Sequence, residues 1–112
     1  MTVSSEDAIR LLSKWASEPS NVFVFVKGDP FVIRLLGSLS IVLDPPCLSI
    51  YQPGPQLRRT DIAFGLADAS DFDYSDLREA PDVVKQEMGD WLTAGLSFSI
   101  GANRINIYEL AE

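Results

Sequence analysis

Apolar residues occupy every second position between residues 92 and 100, and small or polar residues fill the positions between them. This period of two is typical of a strand with one face in a core. Gly101, Ala102 and Asn103 then reverse the chain, and Ile105 and Ile107 resume the alternation. The stretch from Trp91 to Tyr108 therefore predicts a C-terminal β-hairpin that lies on a hydrophobic core.

Residues 22–27 read VFVFVK, a run of β-branched and aromatic residues. The three valines fall on one face of a strand, and Phe23 and Phe25 fall on the other. Because both faces are apolar, both should be covered, which is typical of a central strand. We expect an N-terminal helix on one side of this strand and further sheet, or the interior of a barrel, on the other.

Residues 31–44 form a segment that is too long for an average strand of about five or six residues. Gly37 divides the segment, but the apolar positions keep the same parity on both sides of the glycine. A single strand bent at Gly37 is therefore favoured over a tight hairpin at Gly37-Ser38, since such bends occur where a sheet curls toward a barrel.

Three other segments have a recognisable period. Residues 2–17 place apolar side chains at helical spacing, with Ser4 or Ser5 available as N-cap, and predict a helix. Residues 47–51 and 60–66 alternate in the manner of strands.

The acidic segment at residues 68–90 lacks that alternation and is interpreted as a partly helical connection. Ser70 or Ser75 is a suitable cap for a short helical turn that continues through Leu77. Pro81 is a suitable first residue for a second short helix, which would end near Met88.

These segments predict one domain, residues 1–112, with an α+β fold. One N-terminal helix packs on a strongly curved antiparallel sheet, or partly open barrel, of about five to seven strands, and short helices in the acidic connection precede the C-terminal hairpin. The predicted core consists of Leu12, Trp15, Phe23, Phe25, Ile33, Ile41, Ile50, Ile62, Phe64, Leu96, Phe98 and Ile107.

The net charge of −7 is concentrated in the acidic segment, which holds eight acids and two bases and therefore carries −6. Binding to nucleic acid comes mostly from Lys and Arg that neutralise phosphates. Neither nucleic acid nor an anionic membrane surface is therefore an expected partner.

The chain contains no histidine and a single cysteine, Cys47. This composition excludes the usual Ser-His-Asp and Cys-His catalytic arrangements, the standard structural zinc sites and any intrachain disulfide. Nothing resembles a signal peptide or a membrane span, so we expect a cytoplasmic protein. No bound metal or other cofactor is predicted.

Two groups of charged residues are candidate contacts for a ligand or partner. Asp71, Asp73, Asp76 and Glu79 lie close enough in sequence to bind a hard cation, but the spacing departs from an EF-hand loop and a solvated acidic face explains the same residues. Arg58 and Arg59 are able to bind a carboxylate or phosphate through bidentate hydrogen bonds. Flexible surface arginines without a ligand are commoner than arginines in such sites.

Three aromatic or basic residues, Tyr51, Arg104 and Tyr108, complete the candidate contacts. Tyr51 precedes the turn that leads to the arginine pair, and Asn103, Arg104, Asn106 and Tyr108 form a polar set on and after the last turn. Arg and Tyr are frequent at protein interfaces. The same residue types at a barrel rim would need no function beyond solubility.

A set of small polar residues lies opposite the apolar side of several predicted strands: Ser38, Ser40, Ser49, Gly95, Ser97 and Ser99. A flat surface of this kind is suited to a second subunit or to a shallow pocket. A sheet face in contact with water is the simpler interpretation.

The first functional hypothesis is a small acidic, non-catalytic protein-binding domain that self-associates as a homodimer. The alternative is a barrel that holds a small apolar ligand. The third is an enzyme that uses carboxylates, which would require two of them to converge in a cleft with perturbed pKa values. The acids cluster along one segment, so the enzyme is the weakest of the three.

Overall fold

A computed structural model describes residues 1–17, 21–28, 32–52, 59–76 and 92–110 of the 112-residue chain. It shows one helix followed by seven strands along the sequence. Their bounds are α1 Ser5–Ser17, β1 Val22–Lys27, β2 Val32–Leu43, β3 Pro46–Gln52, β4 Arg59–Gly65, β5 Ser70–Asp76, β6 Leu92–Ile100 and β7 Asn103–Leu110.

The N-terminal helix is confirmed, but it begins at Ser5 rather than near Thr2. The Ser4 hydroxyl accepts a hydrogen bond from the Asp7 backbone N–H at 3.1 Å and thereby caps the first turn. The residues before the cap follow β5, because the Val3 N–H donates to the Phe72 carbonyl at 3.1 Å. Pairing with a strand edge satisfies these backbone groups outside the helix.

All seven strands form one antiparallel sheet in the order β4-β3-β2-β1-β7-β6-β5. The sheet curls strongly into a half-barrel, and α1 packs against its concave face. The strand β1 lies in the middle of the order, and its first five residues are buried. The prediction of a central strand covered on both faces is therefore confirmed.

The long strand β2 is a single strand that passes through Gly37, as the parity of its apolar residues predicts. Residues 32–37 pair with β1, and residues 38–43 pair with β3. The two halves of the sheet are therefore joined by one continuous strand that changes its partner at the glycine.

Most of the predicted core lies in a cluster between α1 and the concave face. Its buried members are Ala8, Leu12, Trp15, Val22, Val24, Val26, Leu39, Leu48, Ile50, Leu66, Phe72, Leu96, Phe98, Ile105 and Ile107. Ile33, Ile41, Ile62 and Phe64 are half-buried and pack against this cluster.

A second, smaller cluster lies on the convex face and contains Phe23, Phe25 and Tyr108. Phe23 stands opposite Tyr108 in the register of β1 with β7, and Leu110 packs against the group. The three side chains are 3%, 8% and 4% exposed in a single chain. The middle of the convex face is therefore closed to a partner.

The short helical turn predicted from Ser70 or Ser75 is wrong, because residues 70–76 form the edge strand β5. Phe72 is buried in the main core cluster, and Tyr74 two positions later is half-buried. Burial of Phe72 and pairing with β6 outweigh the capping preference of the serines and aspartates. The second predicted helix, from Pro81 to Met88, lies outside the described residues.

Candidate functional site

An apolar pocket of about 190 Å³ lies on the concave face, near the β1–β2 and β6–β7 connections. Five strands contribute its walls, and no residue of α1 is among its described lining. The described lining consists of Val26, Ile33, Ile62, Phe64, Ile100, Asn103 and Ile105.

The lining residues occupy core-facing positions that α1 does not reach. The helix has 13 residues and is therefore about 20 Å long, and it buries Ala8, Leu12 and Trp15 elsewhere in the core cluster. At the pocket, Val26 and Ile105 are buried, whereas the remaining lining side chains are half-buried. The pocket is therefore formed by core positions of the strands that have no covering element among the described residues.

Asn103 is the single polar residue in the described lining of the pocket. It begins β7 and pairs with Ile100 across the Gly101-Ala102 turn. Ile105 and Ile107 follow on the same face of the strand and are buried. The Asn103 side chain makes no hydrogen bond with the described part of the chain, so its amide remains available to a molecule in the pocket.

The pocket volume indicates the size of molecule that it is able to hold. Apolar cavities of about 150 Å³ bind benzene, whereas pockets for drug-sized ligands measure roughly 300–1,000 Å³. A volume near 190 Å³ therefore fits a single aromatic ring or a short aliphatic chain.

Arg104, a predicted contact residue, lies on the face of β7 opposite the pocket. Its guanidinium donates to the Ser99 hydroxyl at 2.9 Å, to the Ser97 hydroxyl at 2.7 Å and to the backbone carbonyl of Asp71 at 2.9 Å. Within the described residues, no carboxylate oxygen lies within 4.0 Å of it. Arg104 therefore links β7 to β6 and β5 by hydrogen bonds to neutral acceptors. Three of the five N–H donors of its guanidinium are used in these bonds.

The predicted acidic residues Asp71, Asp73 and Asp76 all belong to the edge strand β5. Asp71 has a φ of 55° at an irregularity of β5, and its carboxylate is exposed. The Asp73 carboxylate lies 2.8 Å from the N-terminal ammonium of Met1. Asp76 ends β5. Among the described residues, no group of three His, Cys, Asp or Glu side chains is arranged to hold a metal ion.

The described lining of the pocket contains none of the remaining predicted contacts. Tyr51 is half-buried in β3, opposite Ser38 of β2, and borders an open groove beside the C-terminal turn of α1. Arg59 begins β4, and Arg58 lies outside the described residues. Tyr108 belongs to the convex cluster of Phe23 and Phe25.

The predicted serine-rich face is divided into two separate groups. Ser38, Ser40 and Ser49 lie on β2 and β3, with Ser40 opposite Ser49. Ser97 and Ser99 lie on β6 and bind Arg104. The strand β1, with its buried aromatic side chains, lies between the two groups, so the serines do not form one continuous surface.

Burial raises the pKa of the Tyr108 hydroxyl from 10 to about 12, because removal from water disfavours the phenolate. Below pH 10, the folded and unfolded states both keep this proton. Between pH 10 and 12, the unfolded state loses it first, so Tyr108 lowers the stability of the fold as the pH rises. We expect urea midpoints measured across this range to fall less for Tyr108→Phe than for the unaltered protein. Equal falls would contradict the buried phenol.

The pocket residues were missed as a group in the sequence because they come from five strands. Asn103 has a local signal, since it is a polar residue with the same parity as Ile105 and Ile107. Its neighbours Arg104, Asn106 and Tyr108 are also polar but lie on the other face of β7, so the polar set as a whole does not indicate the pocket.

Comparisons with protein-family models, with curated proteins and with solved structures find no significant match to this chain. The fold and the site themselves define the class: a curled antiparallel half-barrel with one helix and an apolar pocket on its concave face. No helix in the described part of the chain has the length and apolar character needed to cross a membrane.

Proposed function

We propose that this protein is a non-catalytic binding domain that takes a small apolar ligand into the pocket on its concave face. The observation that carries this proposal is the pocket of about 190 Å³, whose described lining contains six apolar side chains and one amide. Ligand sites are typically concave and mostly apolar, with few polar groups that fix orientation. No carboxylate is among the described lining of the pocket, which favours binding over carboxylate catalysis.

Toluene is a suitable first probe, because one aromatic ring with a methyl group matches the pocket volume. A ligand of this size has few atoms with which to gain binding energy, so we expect a dissociation constant on the order of 1 mM. The isoleucine methyl signals in ¹³C NMR provide an internal map of the site. Those of Ile33, Ile62, Ile100 and Ile105 should shift on titration. Those of Ile9, Ile41, Ile50 and Ile107 serve as the reference set, because they do not line the pocket.

Filling the pocket tests the location of binding. Ile62→Phe places a larger side chain in the pocket and should weaken toluene binding by about tenfold or more. The control is Ile41→Phe, a matched change at another half-buried position of the core-facing side, which should leave the affinity unchanged. Shifts spread evenly over all eight isoleucines, or equal binding by both variants, would overturn the proposal.

Protein binding with self-association is the second candidate function, and a different observation favours it. Val32, Leu36, Val42 and Leu43 are 54%, 47%, 58% and 61% exposed, and all four belong to β2. The first three share the face of the strand opposite the core. Exposed apolar groups of this kind mark interaction surfaces when they are contiguous.

Light scattering across a range of concentrations tests self-association directly. A dimer that dissociates when Leu36 is replaced by serine would support an interface on β2. A monomer at all concentrations would contradict the proposed self-association. That result would leave the proposal of a ligand in the pocket standing.

We also propose a cytoplasmic location, with neither nucleic acid nor a membrane as partner. The net charge of −7 opposes binding to polyanionic surfaces. The single cysteine, Cys47, has a free thiol, as is usual in a reducing compartment.

A further inference from the structure

We infer that the ligand of the pocket is a neutral molecule with an apolar body and one hydrogen-bonding group, such as a phenol or a short-chain alcohol, which the Asn103 amide engages. This inference rests on the proposed function and adds the chemical class of the ligand. The observation behind it is an amide that has no hydrogen-bond partner among the described residues, in a pocket whose described lining is otherwise apolar.

The position of Asn103 directs its side chain toward the pocket. Residues 103, 105 and 107 share one face of β7, and Ile105 and Ile107 are buried on that face. Asn103 itself is half-buried and borders the pocket together with its cross-strand partner Ile100. Asn103 is therefore a polar residue at the start of a face of β7 that is otherwise apolar at Ile105 and Ile107.

The amide loses access to water when an apolar ligand fills the pocket. A desolvated amide costs free energy unless it gains a hydrogen bond, because its donor and acceptor groups were solvated before. Toluene fills the volume and leaves the amide unpaired. Phenol has nearly the same shape and replaces the methyl group with a hydroxyl that is able to donate to, or accept from, the amide.

The described lining also disfavours charged ligands. No Asp, Glu, Lys or Arg side chain is among the described residues of the pocket. An ion that enters an apolar site without a partner pays a large desolvation penalty. One neutral hydrogen-bonding group on an apolar body is therefore the chemistry that the lining accommodates.

The test compares phenol with toluene in the unaltered protein and in Asn103→Leu, which removes the amide and keeps a similar side-chain shape. Binding is measured for both ligands from the shifts of the isoleucine methyl signals. The quantity of interest is the ratio of the two affinities in each protein, because comparing the ratios cancels the different hydration of the free ligands. We expect the variant to reduce the preference for phenol over toluene by about fivefold, the effect of one neutral hydrogen bond.

Two further variants make the result specific. Asn103→Thr keeps a hydrogen-bonding group at the position and should retain part of the preference, and it provides the measurement if Asn103→Leu fails to fold. Asn106→Val alters an asparagine on the opposite face of β7, which donates to the Phe25 carbonyl at 3.3 Å, and should leave the ratio unchanged.

The outcomes separate this inference from the function on which it rests. If both ligands bind but the ratio is the same in all the proteins, the role of Asn103 is overturned and the apolar pocket stands. If neither ligand shifts the pocket isoleucines of the unaltered protein, both proposals are overturned. A fall in the ratio that is confined to the Asn103 variants and is largest for leucine supports the inference.

Discussion

Replacing Phe98 with alanine should lower the free energy of unfolding by about 3–5 kcal/mol, because it removes a fully buried ring that packs against both edge strands of the curled sheet. The side chain is 0% exposed. Its ring packs edge-to-face against Phe64 of β4, with centroids 6.4 Å apart, and lies 5.4 Å from Phe72 of β5. These contacts join β6 to the two edge strands of the sheet.

The cost of Phe98→Ala is measured by urea unfolding followed by circular dichroism. The control is Phe98→Leu, which keeps most of the apolar volume and should cost distinctly less than the alanine variant. An alanine variant as stable as the unaltered protein would contradict the burial of the ring. It would also contradict the inward curl that brings Phe64 of β4 close to β6.

Much of the fold could be predicted from the parity of apolar residues. The hairpin of β6 and β7, the central strand β1 and the uninterrupted passage of β2 through Gly37 all follow from alternation along the chain. Parity is informative here because one face of almost every strand lies in the same core. The strand β1 departs from simple alternation, since both of its faces are apolar, and the structure buries both.

The edge strand β5 could not be predicted from its own residues. Its sequence, SDFDYSD, is rich in residues that favour helix caps and turns. The strand forms because Phe72 enters the core beside Phe98 and because β6 supplies a partner for its backbone. The partner strand β6 comes from residues distant in sequence, and the alternation of Phe72 and Tyr74 with polar residues is too short to outweigh the capping residues around it.

The candidate site was harder to predict than the fold, for the same reason. The predicted contacts Asp71 and Arg104 do meet, but through the Asp71 backbone carbonyl rather than through the carboxylate. The pocket arises from the curl of the sheet, which brings Phe64 of β4 near Ile100 and Ile105 of β6 and β7. The degree of curl is a property of the whole sheet, so local sequence patterns do not specify which core positions remain uncovered.

Gly37→Ala in β2 should lower the free energy of unfolding by about 1–3 kcal/mol, because the position leaves too little room for a β-carbon. A β-carbon at this position would lie 2.9 Å from the Tyr51 carbonyl oxygen, 3.0 Å from Ile50 Cγ2 and 3.1 Å from the Gln52 side-chain nitrogen. The nearest of these atoms belongs to the backbone of β3. Relief of the clash therefore requires β2 and β3 to separate at the point where β2 changes its partner.

Gly65→Ala is the matched control for Gly37→Ala, because a β-carbon on Gly65 meets no atom within 4 Å. Alanine restricts the unfolded chain more than glycine does, so this variant should be neutral or more stable by up to about 1 kcal/mol. Urea unfolding of both variants separates the steric cost at Gly37 from the general effect of replacing a strand glycine. If the two variants shift the unfolding midpoint equally, close approach of β2 to β3 is not the reason for glycine at position 37. If only Gly37→Ala is destabilised, the close packing of β2 against β3, where β2 changes its partner, depends on the missing side chain at this position.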